Sequence, residues 1–79
     1  MSWRVVVVSS NAKLDYKLDY LVVRTLNEVR RIHLDEVGVL VLESTAISIT
    51  AYLLCELMNR KIKVIFCDHQ RNPCSELVP

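Results

Sequence analysis

The sequence predicts an α+β domain that is mainly β. It calls for six to seven short strands in one or two small sheets and one covering helix over about residues 46–59. Three observations carry this. Short runs alternate between apolar and polar residues with the period of a strand. Twelve valines add a β bias throughout. From Ala46 the apolar period lengthens to that of a helix, then reverts at Ile62. Strand, helix and strand with short joins predict a right-handed crossover that lays the second strand beside the first.

Trp3 to Ser10 opens as a strand, with Trp3, Val5 and Val7 on one face and Arg4, Val6 and Val8 on the other. Only its start is expected to be half-exposed. Ser9, Ser10 and Asn11 form a turn. Ala12, Leu14, Tyr16 and Leu18 alternate with Lys13, Asp15, Lys17 and Asp19, a half-buried strand. A turn within Lys17–Asp19 lets Tyr20–Arg24 return antiparallel. After a turn at Leu26–Glu28 comes Arg30–Leu34, with Ile32 and Leu34 inward and Arg31 and His33 outward. Asp35 and Glu36 break the run. Val37, Val39 and Val41 then oppose Leu40 and Leu42, so this strand is apolar on both faces and calls for cover on both. Ser44 or Thr45 is placed to cap the helix, in which Ile49, Leu53 and Leu57 share a stripe with Cys55 as a core thiol. Ile62–Phe66 is the next strand, Asp68–Pro73 a polar turn, and Cys74–Val78 a final strand folding back.

Seventy-nine residues make one domain. Ten basic and nine acidic side chains give a formal net charge of +1, which argues against a nucleic-acid binder driven by bulk charge but leaves local DNA contact open. The three cysteines, an odd number at no framework spacing, point to a reducing compartment, and no signal peptide is recognisable. No stretch approaches the ~20 apolar residues of a spanning helix. The expected location is the cytoplasm, with no membrane partner. Pro79 follows a strand directly, which reads as a cut.

Several groupings have a chemical reading and a plainer one. Cys67, His69 and Cys74 lack the paired spacing of a structural zinc site and read as two hairpin cysteines beside a turn histidine. His33 reads as edge-strand surface. Asp15/Asp19 and Asp35/Glu36 read as solvated charge, not as an acid–base pair. One glycine in the chain leaves no phosphate-cradling loop. Lys13, Lys17, Arg24, Arg30 and Arg31 are candidates for a basic patch contacting phosphates. A small-molecule site at the strand ends of the crossover is a further reading. The residues alone describe a small β-rich interaction or scaffold domain.

The order of the pieces adds to this. Trp3-Arg-Val-Val-Val-Val, Lys13-Leu-Asp-Tyr-Lys17, Ile32-His-Leu-Asp-Glu36, Val39-Leu-Val-Leu-Glu-Ser-Thr45, Val64-Ile-Phe-Cys-Asp68 and Arg71-Asn-Pro73 to Leu77-Val-Pro79 follow one another as in one family. The chain resembles the N-terminal β-domain of the CRISPR-associated spacer-acquisition endonuclease/integrase, and is most similar to its type II form.

The resemblance implies a larger helical domain elsewhere, holding the Glu, His and acidic residue that bind Mg²⁺ or Mn²⁺ and cut and join DNA. No position here matches them, so it implies no catalytic residue, metal ligand or cofactor within these 79 residues. It implies a homodimer, a double-stranded DNA prespacer and the small companion adaptation protein as partners. The loop after the first strand, Ser10-Asn11-Ala12-Lys13, is expected near the duplex end. Relatives often place a ring there, and Asn11 is none. Asn11, Lys13 and Lys17 are the DNA-contact candidates. Val29, Ile32 and His33, on a partly apolar edge, are the dimer-interface candidates. The alternative function is a stand-alone dimerisation or adaptor module.

Overall fold

The computed structural model describes residues 4–79. The expected placement of Trp3 lies outside them. Eight strands, one α-helix and a 3₁₀ turn follow in the order β1 (Arg4–Val8), β2 (Ala12–Lys17), β3 (Tyr20–Arg24), β4 (Val29–His33), the turn Leu34–Glu36, β5 (Val37–Leu42), β6 (Ile47–Ile49), α1 (Ala51–Asn59), β7 (Lys63–Cys67) and β8 (Pro73–Leu77). They form two four-stranded sheets, ordered β1-β5-β7-β8 and β4-β3-β2-β6.

In the first sheet β1, β5 and β7 run parallel, and β8 returns antiparallel beside β7. The second strand of the expected crossover does lie beside the first: β5 and β7 are parallel neighbours, with Leu40 opposite Val64. In the second sheet β2, β3 and β4 form an antiparallel meander to which β6 adds parallel. Leu14 and Leu21 from the second sheet meet Leu40 and Val64 from the first, and Leu53 and Leu57 of α1 close the same core. All six are at most 1% exposed.

The helix is shorter than its apolar spacing predicts. Residues 47–49 are strand β6, paired with Ala12–Leu14, and the cap is Thr50, whose Oγ1 accepts the Leu53 N–H at 3.1 Å. Neither Ser44 nor Thr45 caps α1; Ser44 Oγ takes the Ala46 N–H in a separate turn. The physical reason is the β-branched run Ile47, Ile49, Thr50, whose side chains are crowded in a helix and fit a pleated surface. Ile49 serves either period, because it faces the core in both. Cys55 is exposed, two residues from each of the buried Leu53 and Leu57 and so on the far side of the helix.

The expected helix end at Asn59 is correct, but the left-handed residue is Lys61, at φ 60°. Its N–H reaches the Met58 carbonyl at 3.0 Å, and the Ile62 N–H reaches Leu57 at 2.8 Å. This is the paired bonding of a Schellman cap, closed by Ile62 beside Leu57. The β2–β3 turn falls at Leu18 and Asp19, with φ of 50° and 70°. Two positive values are what a type I′ hairpin requires.

Two burial expectations change. The pairing of Arg4 with Val37 and Val5 with Val39 skips Gly38, a bulge that turns Val37 into the core and away from Val39 and Val41. Beyond it, one face of β1 and β5 lacks the predicted cover: Val5 is 56% and Val7 51% exposed, with Val39, Val41 and Ile65 half-buried beside them.

Candidate nucleic-acid interface

Register decides which charges share a face. In the second sheet Lys13 is opposite Arg24, Lys17 opposite Tyr20, Val22 opposite Arg31 and Tyr20 opposite His33. Residues paired across strands point the same way, and Ala12, Leu14, Leu21 and Ile32 point into the core. The outer face therefore carries Lys13, Lys17, Arg24 and Arg31 against a single acid, Asp15. A chain of near-zero net charge thus presents a locally cationic surface. Lys13 and Lys17, four residues apart on one strand, are roughly 14 Å apart along it, about four nucleotide steps of a DNA strand.

Asp15 is the tuning group of this face. Its Oδ2 lies 3.5 Å from Arg24 Nε, while its Oδ1 is buried with no hydrogen-bond partner. Arg24 is thereby partly neutralised, leaving Lys13, Lys17 and Arg31 freer to meet phosphates. Arg30, a candidate for the same patch, points the other way and pairs with Glu28 at 2.9 Å. Strand parity separates it from Arg31.

Asn11 and Lys13 meet at one end of the sheet, where they line a cleft of about 500 Å³ with Arg24 and Leu26. Leu26, at the tip of the β3–β4 turn, is 98% exposed. Lys17 lies at the far end of β2, beside the Tyr20–His33 pair, whose rings meet edge-on at 5.0 Å. The three DNA-contact candidates thus share a strand and its leading turn without forming one cluster.

The three interface candidates divide. Val29 and His33 share the outer face, and Val29 is 55% exposed. Ile32 faces the opposite way and packs against the core, so its side chain is not available on that surface. His33 Nδ1 accepts the Asp35 N–H at 3.2 Å, which places the proton of the neutral ring on Nε2. That bond, not the 3.6 Å approach of the Asp35 carboxylate, defines the ring's setting.

The carboxylate pairs are not simply solvated charge: Asp15 Oδ1 is buried, and Asp19 and Asp35 are both drawn to Arg60, because the β2–β3 turn and the end of α1 pack together. The other groupings follow their plainer readings. Burial pushes the Cys67 thiol up, reinforced by Glu43 and Cys74, so it is a poor nucleophile. Cys74 Sγ donates to the Phe66 carbonyl at 3.5 Å. Asp68 accepts the Asn72 and Gln70 N–H groups at 3.0 and 2.9 Å, which holds its carboxyl below the usual range and shapes the β7–β8 turn. Among the described residues no three His, Cys, Asp or Glu side chains come together to hold a metal ion. The Mg²⁺ or Mn²⁺ implied for the longer family members therefore finds no donor set here. At the carboxyl ends of the parallel strands a small cleft of about 170 Å³ includes Arg71, already 3.9 Å from Glu43.

Fold and surface together define a class: a small two-sheet domain that presents a cationic sheet face. The chain belongs to the CRISPR associated protein Cas1 family, whose family model matches residues 5–79. A curated relative, the CRISPR-associated endonuclease Cas1 of Neisseria meningitidis serogroup C (strain 8013), is 28% identical over 79 residues, covering 100% of this chain and 26% of that protein. A Cas1 protein from Thermotoga maritima superposes with a TM-score of 0.87 at 15% identity, over 100% of this chain and 24% of the other. A TtCas1–DNA complex aligns at 0.84 and 13% identity, over 98% and 29%. A partial Cas6-RT-Cas1–Cas2 complex aligns at 0.86 and 15% identity, over 100% and 24%. The chain spans about a quarter of the length of these relatives.

Proposed function

We propose that this chain is the DNA-supporting and dimerising β-domain of a CRISPR adaptation endonuclease/integrase of the type II form, acting in the cytoplasm and carrying no cleavage step itself. The observation that carries the reading is the outer face of the second sheet, with four cations against one acid on a chain of net charge +1. Positioned lysines and arginines contact phosphates without reading sequence, which suits a surface that supports any captured duplex. Asn11 and Lys13 would sit toward one end of the duplex and Lys17 farther along its backbone. Relatives solved with DNA and with Cas2 support a prespacer duplex and the companion adaptation protein as partners. In the longer protein the Mg²⁺ or Mn²⁺ chemistry would belong to other residues.

The test is binding of a blunt DNA duplex across a salt series. Lys13→Ala and Lys17→Ala should each weaken binding equally for unrelated sequences and lower the salt slope by about 0.9. A wild-type protein that binds no duplex at low salt would refute the reading and leave the adaptor function in its place.

A further inference from the structure

Cys67 and Cys74 come from facing strands of one hairpin and share a side of the first sheet. Val64 and Phe66 of β7 pack against the core, and so does Leu77 of β8, opposite Val64. The intervening residues point to the outer face, where Lys63 Nζ meets a Glu76 carboxylate oxygen at 3.2 Å. Cys67 continues the alternation of Lys63 and Ile65, and Cys74 stands two residues before Glu76, so both thiols lie on that outer face. Cys67 is 7% exposed yet lies outside the core cluster, as this placement requires.

A bulge sets the two cysteines side by side. Phe66 is opposite Ser75 and Cys67 opposite Pro73, so Pro73 and Cys74 together face the single Cys67. Facing residues of an antiparallel pair have Cα atoms about 4.5–5.5 Å apart, within the roughly 4.4–6.8 Å that a disulfide spans. Cys74 Sγ, 3.5 Å from the Phe66 carbonyl oxygen, already rests against the peptide that leads into Cys67. Cys74 is also among the groups that push up the Cys67 thiol, after burial and Glu43. The intervening turn holds this arrangement, with the Asp68 N–H on the Asn72 carbonyl and the Arg71 N–H on the Asp68 carbonyl, both at 2.9 Å. Cys55 stands apart, on α1, which packs on the inner side of the sheet through Leu53 and Leu57. Among the described residues β8 pairs with β7 alone, so its hold on the sheet depends on this hairpin.

We propose that Cys67 and Cys74 are a dithiol that hydrogen peroxide converts to a disulfide, and that the disulfide clamps β8 onto β7. The exposed Cys74 sulfur, as thiolate, attacks one peroxide oxygen and the O–O bond breaks. Cys74 becomes a sulfenic acid, and the departing hydroxide takes up a proton and leaves as water. The buried Cys67 is shielded from the oxidant and enters as the second thiol. It gives up its proton, its sulfur attacks Cys74 Sγ, the S–O bond breaks, and the hydroxide leaves with that proton as water. The two thiols together lose two electrons, and the peroxide is reduced to two waters. Exchange with a small thiol returns the dithiol, so in a reducing compartment the clamp is transient.

The test is peroxide treatment of the folded protein, blocking of free thiols with an alkylating reagent, and tryptic digestion without reductant, read by mass spectrometry. Trypsin cuts after Lys63 and after Arg71, so the two cysteines part unless a bond joins them. The expected product is the 64–71 piece joined to the piece that begins at Asn72, released by reductant. The amides of β8 should then exchange with solvent more slowly by on the order of tenfold or more. Cys74→Ser keeps a donor for the Phe66 carbonyl and should give no link. Cys74 oxidised beside an unlinked Cys67, or a link through Cys55, would overturn the pairing. A link that leaves β8 exchange unchanged would overturn the clamp. Neither outcome touches duplex binding, which rests on the second sheet.

Discussion

Arg60 Nη2 lies 2.6 Å from Asp19 Oδ1, which ties the C-terminal end of α1 to the β2–β3 turn 41 residues earlier. Tyr16 O–H donates to the same oxygen at 2.9 Å. The Asp19 carbonyl takes the Leu34 N–H at 3.0 Å. Arg60 also reaches Asp35 at 3.4 Å and Glu56 at 3.6 Å. A turn residue held at φ 70° without glycine is thus anchored from three directions.

This anchor predicts acid sensitivity. The Tyr16 hydroxyl first, and the Arg60 guanidinium second, hold the Asp19 carboxyl below its usual range. A lowered folded-state value means the stabilisation is present above the unfolded carboxyl's range, about pH 3.9, and is lost as pH falls through the lower value. Asp19→Asn should lower the melting temperature at neutral pH and flatten its fall below about pH 4. An unchanged acid profile would show that the contact is stabilising neither state. Asp68 acts in the same pH range and in the same direction, so Asp68→Asn is the control.

The ends of α1 predict opposite changes. Thr50→Ala removes the acceptor for the Leu53 N–H and should cost about 1 kcal/mol. Lys61→Gly relieves a side chain held at φ 60° and should stabilise by about 1 kcal/mol. Urea denaturation midpoints with an unchanged slope would report both.

The orphaned oxygen of Asp15 predicts a gain in binding. Asp15→Asn removes the only acid on the cationic face and frees Arg24 from its 3.5 Å partner. Duplex affinity should rise severalfold, and the salt slope should steepen by up to about 0.9, as for one further phosphate contact. An affinity equal to or below that of the wild type would show that Arg24 meets no phosphate.

Ile32 predicts a folding defect. It packs against the core from the inner face of β4, so Ile32→Asp should destabilise by about 1–3 kcal/mol. Were Ile32 part of a dimer interface, a charge here would instead act by dissociating the dimer. The two effects separate in a denaturation curve compared with a mass measurement at equal concentration.

Much of the architecture was legible because burial imposes a period. The alternation at Ala12–Asp19, the break at Asp35–Glu36 and the return of period two at Ile62 correspond to a strand with its turn, a 3₁₀ turn and a strand start. Strand β6 was not separable from the helix by pattern, because Ile49 faces the core under either period. Cys55 was misplaced by its apolar character, since two residues from both Leu53 and Leu57 the helical period sets it on the opposite side.

For the candidate interface, sequence parity already put Arg31 and His33 outward and Ile32 inward. It left open whether Lys13 and Arg24 are neighbours, because that depends on where the Leu18–Asp19 turn closes. The turn carries neither Asn nor Gly, the usual marks of a type I′ hairpin. Asp19 and Arg60 gave no signal of their partnership, since each reads alone as solvated charge.

The sequence by itself determined the strands, the helix and the apolar stripes they must bury, because periodicity and residue preference act within a few neighbours. Only the tertiary structure decided which charges stand together and which edges stand open. Cross-strand register sets the cationic face of the second sheet, and one-sided pairing leaves Val5 and Val7 with unused backbone groups. Those outcomes depend on contacts between distant segments, which local pattern does not encode.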